Sequence, residues 1–261
     1  MNKIKFIILI SGIFLCSGVL SFNSFCQEQS GFTKEWVSAM PDSRCRIYVE
    51  ESPGEQLVYF ISDLGMEFNY LKKNLNFKTD SFHEVYFNQP GIVQSTCNDT
   101  STIKATKLVE QLQKIHKLID KKDPFSIACH NQGCHIALLF YKKNPGQVES
   151  IHMIQPKIQK RQAKYYLNKT TTLKPYMKNI NKGYGSVFFP DAHQNLIQSL
   201  PQSQKIPKDK TYLYLSPSVM NTLELKPFKG ARKLKNSGQG ITFLNNDAFS
   251  NNLRKDLIND E

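Results

Sequence analysis

Residues 124–148 read PFSIACHNQGCHIALLFYKKNPGQV, and the reading of this stretch decides the fold. The apolar run at 125–128 predicts a short buried strand, and residues 135–143 predict a helix. The turn between them is Cys129-His130-Asn131-Gln132-Gly133, with Cys134 leading into the helix. Asn131, at the centre of the turn, accepts positive φ better than most non-glycine residues. Gly133 stands where the helix must pack closely on the strand. At the apex, the Asn131 amide has a delocalised lone pair and no proton that a neighbouring base could remove, so it is not a nucleophile.

Working outward, residues 44–50 and 56–61 are β-rich runs joined by Ser-Pro-Gly-Glu at 52–55, which predicts a hairpin. MEFNYLKKNL at 66–75 suits a helix, and residues 83–87 form a further strand run closed by Asn88-Gln89-Pro90-Gly91. Between 102 and 121, Ile103, Leu108, Leu112, Ile115, Leu118 and Ile119 recur, from Leu108 onward at three- and four-residue steps, as in an amphipathic helix. Strands at 150–154 and 211–215 and a helix at 247–258 follow. This alternation predicts an α/β fold with a mostly parallel sheet flanked by helices. Residues 156–209 interrupt it. Rich in Lys, Asn, Gln, Thr and Tyr and containing Pro175, Pro190, Pro201 and Pro207, they read as a short cap insertion between core segments 27–155 and 210–261.

A chain of 261 residues supports one sizeable core. Lys3 and Lys5 precede an apolar run at 6–20 that Ser11, Gly12, Ser17 and Gly18 break, too short and weak for a membrane span. Residues 1–26 therefore read as a secretory signal peptide, with cleavage after Ser21 or after Cys26 both fitting, and the expected location is secreted or periplasmic. Four of the six cysteines, Cys45, Cys97, Cys129 and Cys134, remain after cleavage at 26, an even number compatible with three pairings. The net charge of +12 is unevenly spread: from Lys157 to Lys182 every charged residue is basic. Lys157, Lys160, Arg161 and Lys164 recur at helical spacing beside Tyr165 and Tyr166, a face suited to an anionic small molecule or an acidic surface, whether lipid headgroup or protein. No motif points to a specific nucleic acid. With no Cys-x-x-Cys, no His-Glu-x-x-His and no phosphate-binding glycine loop, neither metal nor cofactor is expected.

LVYFISDLG at 57–65, EVYFNQPGIVQS at 84–95 and residues 126–156, in this order and spacing, resemble the α/β-hydrolase superfamily, in the branch that holds esterases, proline iminopeptidases and dehalogenases. The resemblance implies that LVYFISDLG supplies an oxyanion amide from the Asp63-Leu64 loop. EVYFNQPGIVQS is similar to the family's Asp-x-Arg-Gly-x-Gly-x-Ser segment, with Asn88, Pro90, Gly91 and Ser95 in matching places and Val93 replacing a glycine. Residues 126–156 resemble the segment that holds the nucleophile turn, with Asn131 in the nucleophile's place.

The family's triad follows in chain order as nucleophile, acid and histidine. An acid would be expected after Leu215, where residues 216–222 hold no carboxylate, or after the preceding strand, where Gln155 stands. The histidine's place reads Gly238-Gln239-Gly240, and no histidine follows His193. The resemblance thus implies the fold without the family's proton transfers, a catalytically inactive binding or interaction module with a vestigial pocket. Its expected ligand-binding residues are His130, Asn131, Gln132, Asp63, Leu64 and Gln239, with backbone amides at Gln132 and near Leu64 holding a carboxylate or phosphate. The alternative is an active esterase or peptidase-type hydrolase that uses Cys129 or Cys134 with His130 or His193.

Overall fold

A computed structural model describes residues 34–39, 45–75, 81–92, 94–97, 103–119, 124–156, 190–201, 204–215, 230–233 and 247–258. The strands are β1 (Lys34–Ala39), β2 (Arg46–Glu51), β3 (Gln56–Ile61), β4 (Phe82–Phe87), β5 (Phe125–His130), β6 (Val148–Ile154), β7 (Thr211–Leu215) and β8 (Gly230–Lys233). The helices are α1 (Asn69–Leu75), α2 (Ala105–Ile119), α3 (Cys134–Lys143), α4 (Pro190–Ser199) and α5 (Asp247–Ile258). Among the described residues the strands form one eight-stranded sheet in the order β1-β2-β4-β3-β5-β6-β7-β8. From β4 to β8 every neighbouring pair is parallel, while β2 runs antiparallel to both β1 and β4.

Period-two alternation splits the central strands between two cores. Leu57, Tyr59 and Ile61 of β3 face the larger one, built with Leu108, Leu112 and Ile115 of α2 and Ile136 and Phe140 of α3. Val58 and Phe60 face the other, closed by Tyr70, Leu71 and Leu75 of α1 and by Phe249, Leu253 and Leu257 of α5. The last three recur every fourth residue, so one stripe of α5 is fully buried, worth roughly 1.5–3 kcal/mol per side chain. Beneath α5, a chain of polar groups crosses three strands. Ser126 Oγ meets Ser150 Oγ at 2.8 Å, Ser150 Oγ meets His152 Nε2 at 2.8 Å, His152 Nδ1 meets Tyr214 OH at 3.0 Å, and Tyr214 donates to Asp256 Oδ2 at 2.8 Å. Since Tyr214 gives its only proton to Asp256, Nδ1 of His152 carries the ring hydrogen. On the same side of the sheet, burial pushes the Glu84 carboxyl up to about 7, although the Tyr86 hydroxyl, Lys72 and Arg254 pull it back.

The hairpin expected from 44–50 and 56–61 does not form, because β4 lies between β2 and β3. The link crosses the start of β4: Ser52 N–H donates to Glu84 O at 3.0 Å, and Glu55 and Gln56 N–H both donate to Ser81 O at 3.2 Å. A Cβ on Gly54 would lie 2.0 Å from the Phe82 carbonyl carbon, so only glycine allows the crossing. Turn residues specify that the chain bends, whereas β3, apolar on both faces, needs a strand on each side. β1, β8 and α4 were not anticipated. α4 falls within the span 156–209, but Leu196, Ile197 and Leu200 belong to the larger core, and Ser199 Oγ accepts the Ala105 N–H at 2.8 Å. Residues 1–26, expected from the sequence to be a signal peptide, and the basic run from Lys157 to Lys182 lie outside the described residues. Within the described residues no helix is long and apolar enough to cross a membrane.

Candidate functional site

At the end of β5 the chain turns through Asn131–Gly133, a single 3-10 turn, directly into α3. Asn131 has φ 53°, the left-handed conformation the turn requires. Gly133 is fixed by space rather than by φ: a Cβ there would stand 2.2 Å from the Ser62 carbonyl oxygen and 3.0 Å from that of Ile61. The start of α3 therefore presses on the end of β3, bringing the loop after β3 against the turn.

That contact seats the Asp63 carboxylate on the turn. Asp63 Oδ1 accepts the Gln132 backbone N–H at 3.0 Å and the Leu64 backbone N–H at 2.9 Å. The Asn131 side-chain amide donates to Asp63 Oδ2 at 2.6 Å. Two backbone donors thus converge on one oxygen of a carboxylate belonging to the chain itself. Hydrogen bonds to an ionised acceptor are the strong kind, each about 1.5–3 kcal/mol. Asn131 Oδ1, turned away from Asp63, is buried without a hydrogen-bond partner.

The loop carrying Asp63 is braced from the NQPG turn. Gln89 Nε2 donates to Asp63 O at 2.9 Å and to Ser62 Oγ at 3.2 Å, while its Oε1 accepts the N–H of Gly65, which has φ 80°. Asn88 Oδ1 accepts the Phe68 N–H at 3.0 Å. Ser95 closes that turn, donating to Asn88 O at 2.9 Å and accepting the Tyr48 N–H at 2.9 Å.

Behind the loop, the Tyr70 hydroxyl accepts the Asp63 N–H at 2.7 Å and bonds His130 Nδ1 at 2.8 Å. Burial holds the Tyr70 phenol well above its ordinary range and the Asp63 charge adds to this, while the hydrogen bond from the Asp63 backbone opposes it. Tyr70 is therefore a protonated donor toward His130 Nδ1. The sequence offered no signal for Gln89 and Tyr70 beyond their place in a turn and a helix.

Disulfides join Cys45 to Cys97 and Cys129 to Cys134. The Cys129–Cys134 bond brackets the turn, its Cα atoms 5.0 Å apart, and both sulfurs are buried. With these sulfurs bonded to each other, neither is a thiolate for a relocated Cys-His pair.

The structure brings Asp63, Leu64, Asn131 and Gln132 together, with Asp63 as the acceptor of the amides, and joins His130 to them through Tyr70. Gln239, and the positions 216–222 and 238–240 where acid and histidine would stand, lie outside the described residues. Gln155, at the other acid position, has φ 45° and donates its backbone N–H to Tyr214 O at 2.9 Å. His193 lies on α4. Among the described residues no group of three or more His, Cys, Asp or Glu side chains is placed to hold a metal ion.

No family model matches the chain, and no curated protein does. Solved structures do. A carboxylesterase of the ammonia-oxidizing thaumarchaeon Nitrososphaera gargenis superposes with a TM-score of 0.69 at 10% identity, covering 86% of this chain and 98% of the other. A thermophilic esterase from Thermogutta terrifontis gives 0.68 at 9% identity, covering 87% and 99%. The proline iminopeptidase-related protein of Thermus thermophilus gives 0.66 at 15% identity, covering 87% and 98%. With this strand order, the turn after β5 and these likenesses, the chain has the α/β-hydrolase fold.

Proposed function

We propose that this chain is a secreted or periplasmic α/β-hydrolase-fold protein that binds rather than hydrolyses. One observation carries the reading. The two backbone amides that would face a developing oxyanion already hold the Asp63 carboxylate, and the turn between them presents Asn131 instead of a hydroxyl or thiol. Such a cleft has neither the attacking atom nor vacant donors for the charge an attack would create. The segment read as a signal peptide and the paired cysteines suit an oxidising compartment. For a partner, the basic run from Lys157 to Lys182 favours an anionic small molecule or an acidic surface.

A competing reading, an active hydrolase, is favoured by the esterases among the similar structures. With Cys129 or Cys134 as its nucleophile, it requires a thiol released from the bond between them. Incubation with a fluorophosphonate and with a thiol-directed acyl probe, with and without reductant, separates the two. The binding reading expects no site-specific labelling and no turnover of p-nitrophenyl acetate in either state. Turnover accompanied by labelling of Cys129, Cys134 or a serine would establish the hydrolase.

A further inference from the structure

We propose that the Asp63 side chain is an autoinhibitory latch, a tethered carboxylate that must swing away before the Leu64 and Gln132 amides can receive a ligand carboxylate. The proposal builds on the binding reading above and says what the cleft binds and what holds it shut.

The amides are held independently of the group now occupying them. The backbone of residues 62–68 is fixed by Tyr70 OH on Asp63 N–H, by Gln89 on Asp63 O and Gly65 N–H, and by Asn88 on Phe68 N–H. Gln132 is fixed by the contact of Gly133 with the end of β3 and by the Cys129–Cys134 bond around the turn. Rotation of the Asp63 side chain alone therefore leaves both N–H groups aimed at the same point, a preorganised site for one oxygen of a planar oxyanion.

The latch is also releasable. Asp63 and Asn131 are partly exposed, so the carboxylate has solvent to turn into. The closed arrangement carries a built-in cost, since it leaves Asn131 Oδ1 buried without a donor at a residue already held at positive φ. Three hydrogen bonds to a charged group outweigh one unpartnered acceptor, which makes closed the resting state. Because Asp63 is tethered, it competes at high effective concentration, and a free carboxylate enters at a corresponding disadvantage.

Acetate titrated at constant ionic strength, followed by the backbone amide resonances of Leu64 and Gln132, tests this in the wild type, Asp63→Ala and Asp63→Asn. The expected half-saturating acetate concentration is at least about ten-fold lower in Asp63→Ala than in the wild type, with Asp63→Asn between them. Should Asp63→Ala fail to fold, a half-saturating concentration lower in Asp63→Asn than in the wild type decides in favour of the latch. Equal half-saturation in wild type and variants, or amides that ignore acetate in every protein, overturns the latch. Turnover of p-nitrophenyl acetate by the wild type, measured alongside, would defeat the binding reading while leaving the titration result standing.

Discussion

A Cβ added to Gly133 would stand 2.2 Å from the carbonyl oxygen of Ser62, so α3 and β3 meet backbone against backbone. This approach carries Gln132 and Asp63, 69 positions apart, into hydrogen-bond range. Gly133→Ala is therefore expected to force the helix off the strand. Overpacking of this kind costs about 1–3 kcal/mol, and backbone neighbours leave little room to relax. The urea midpoint should fall accordingly. Gly146→Ala is the control: a Cβ there meets nothing within 4 Å, and stability should change by less than about 1 kcal/mol.

Asn131→Ser, which places a hydroxyl at the apex of the turn, is not expected to create a hydrolase. The adjacent imidazole, His130, offers its Nδ1 to Tyr70 rather than to the apex, and the Asp63 carboxylate remains on the Leu64 and Gln132 amides. Hydrolysis of p-nitrophenyl acetate should stay at the wild-type level. Saturable turnover in this variant would place a base and an acid around the turn.

The two disulfides should differ in their effect on stability because they close loops of different length. Cys45 and Cys97 are 52 positions apart, whereas Cys129 and Cys134 are 5 apart. Loop-closure entropy assigns about 4 kcal/mol to the longer loop and about 2 kcal/mol to the shorter. Paired Cys→Ala variants should fall in that order in urea denaturation, and a larger loss from the short loop would contradict it.

Glu84 makes stability depend on pH. Its carboxyl titrates at about 7 when folded, above the ordinary 4.5, and burial is the main cause. The folded chain therefore binds a proton that the unfolded chain has released, and stability falls as pH rises between roughly 4.5 and 7. The shift corresponds to a penalty of order 3 kcal/mol above that window. Glu84→Gln should remove this fall, so that wild type and variant diverge with rising pH. Parallel stability curves from pH 5 to pH 8 would show that Glu84 ionises as freely when folded as when unfolded.

Much of the architecture was legible because local pattern and tertiary environment agree. The run at 125–128, apolar but for Ser126, is what a strand buried on both faces demands, and β5 occupies the middle of the sheet. Asn131 and Gly133 were readable as turn residues, since φ and close packing restrict the residue type locally. β1 (KEWVSA) and β8 (GARK) are edge strands without such a run, and nothing short of their pairing marks them.

The failed hairpin shows where local reading stops. Ser-Pro-Gly-Glu announces a change of direction, but the insertion of β4 depends on pairing with residues 26 positions away in β3 and 34 to 38 positions away in β2. The cysteine pairing and the seat of Asp63 are of the same kind. The Cys45–Cys97 bond rests on a bridge between residues 52 positions apart, and the seat of Asp63 on the close approach of α3 to β3.

By itself the sequence determined the α/β order of elements, the glycine and asparagine of the turn, and the lack of any histidine beyond His193, all properties of composition and of neighbours within a few residues. Only the tertiary structure decided that the amides of that turn are occupied by the chain's own Asp63, because a hydrogen bond across 68 or 69 positions leaves no periodic trace along the chain.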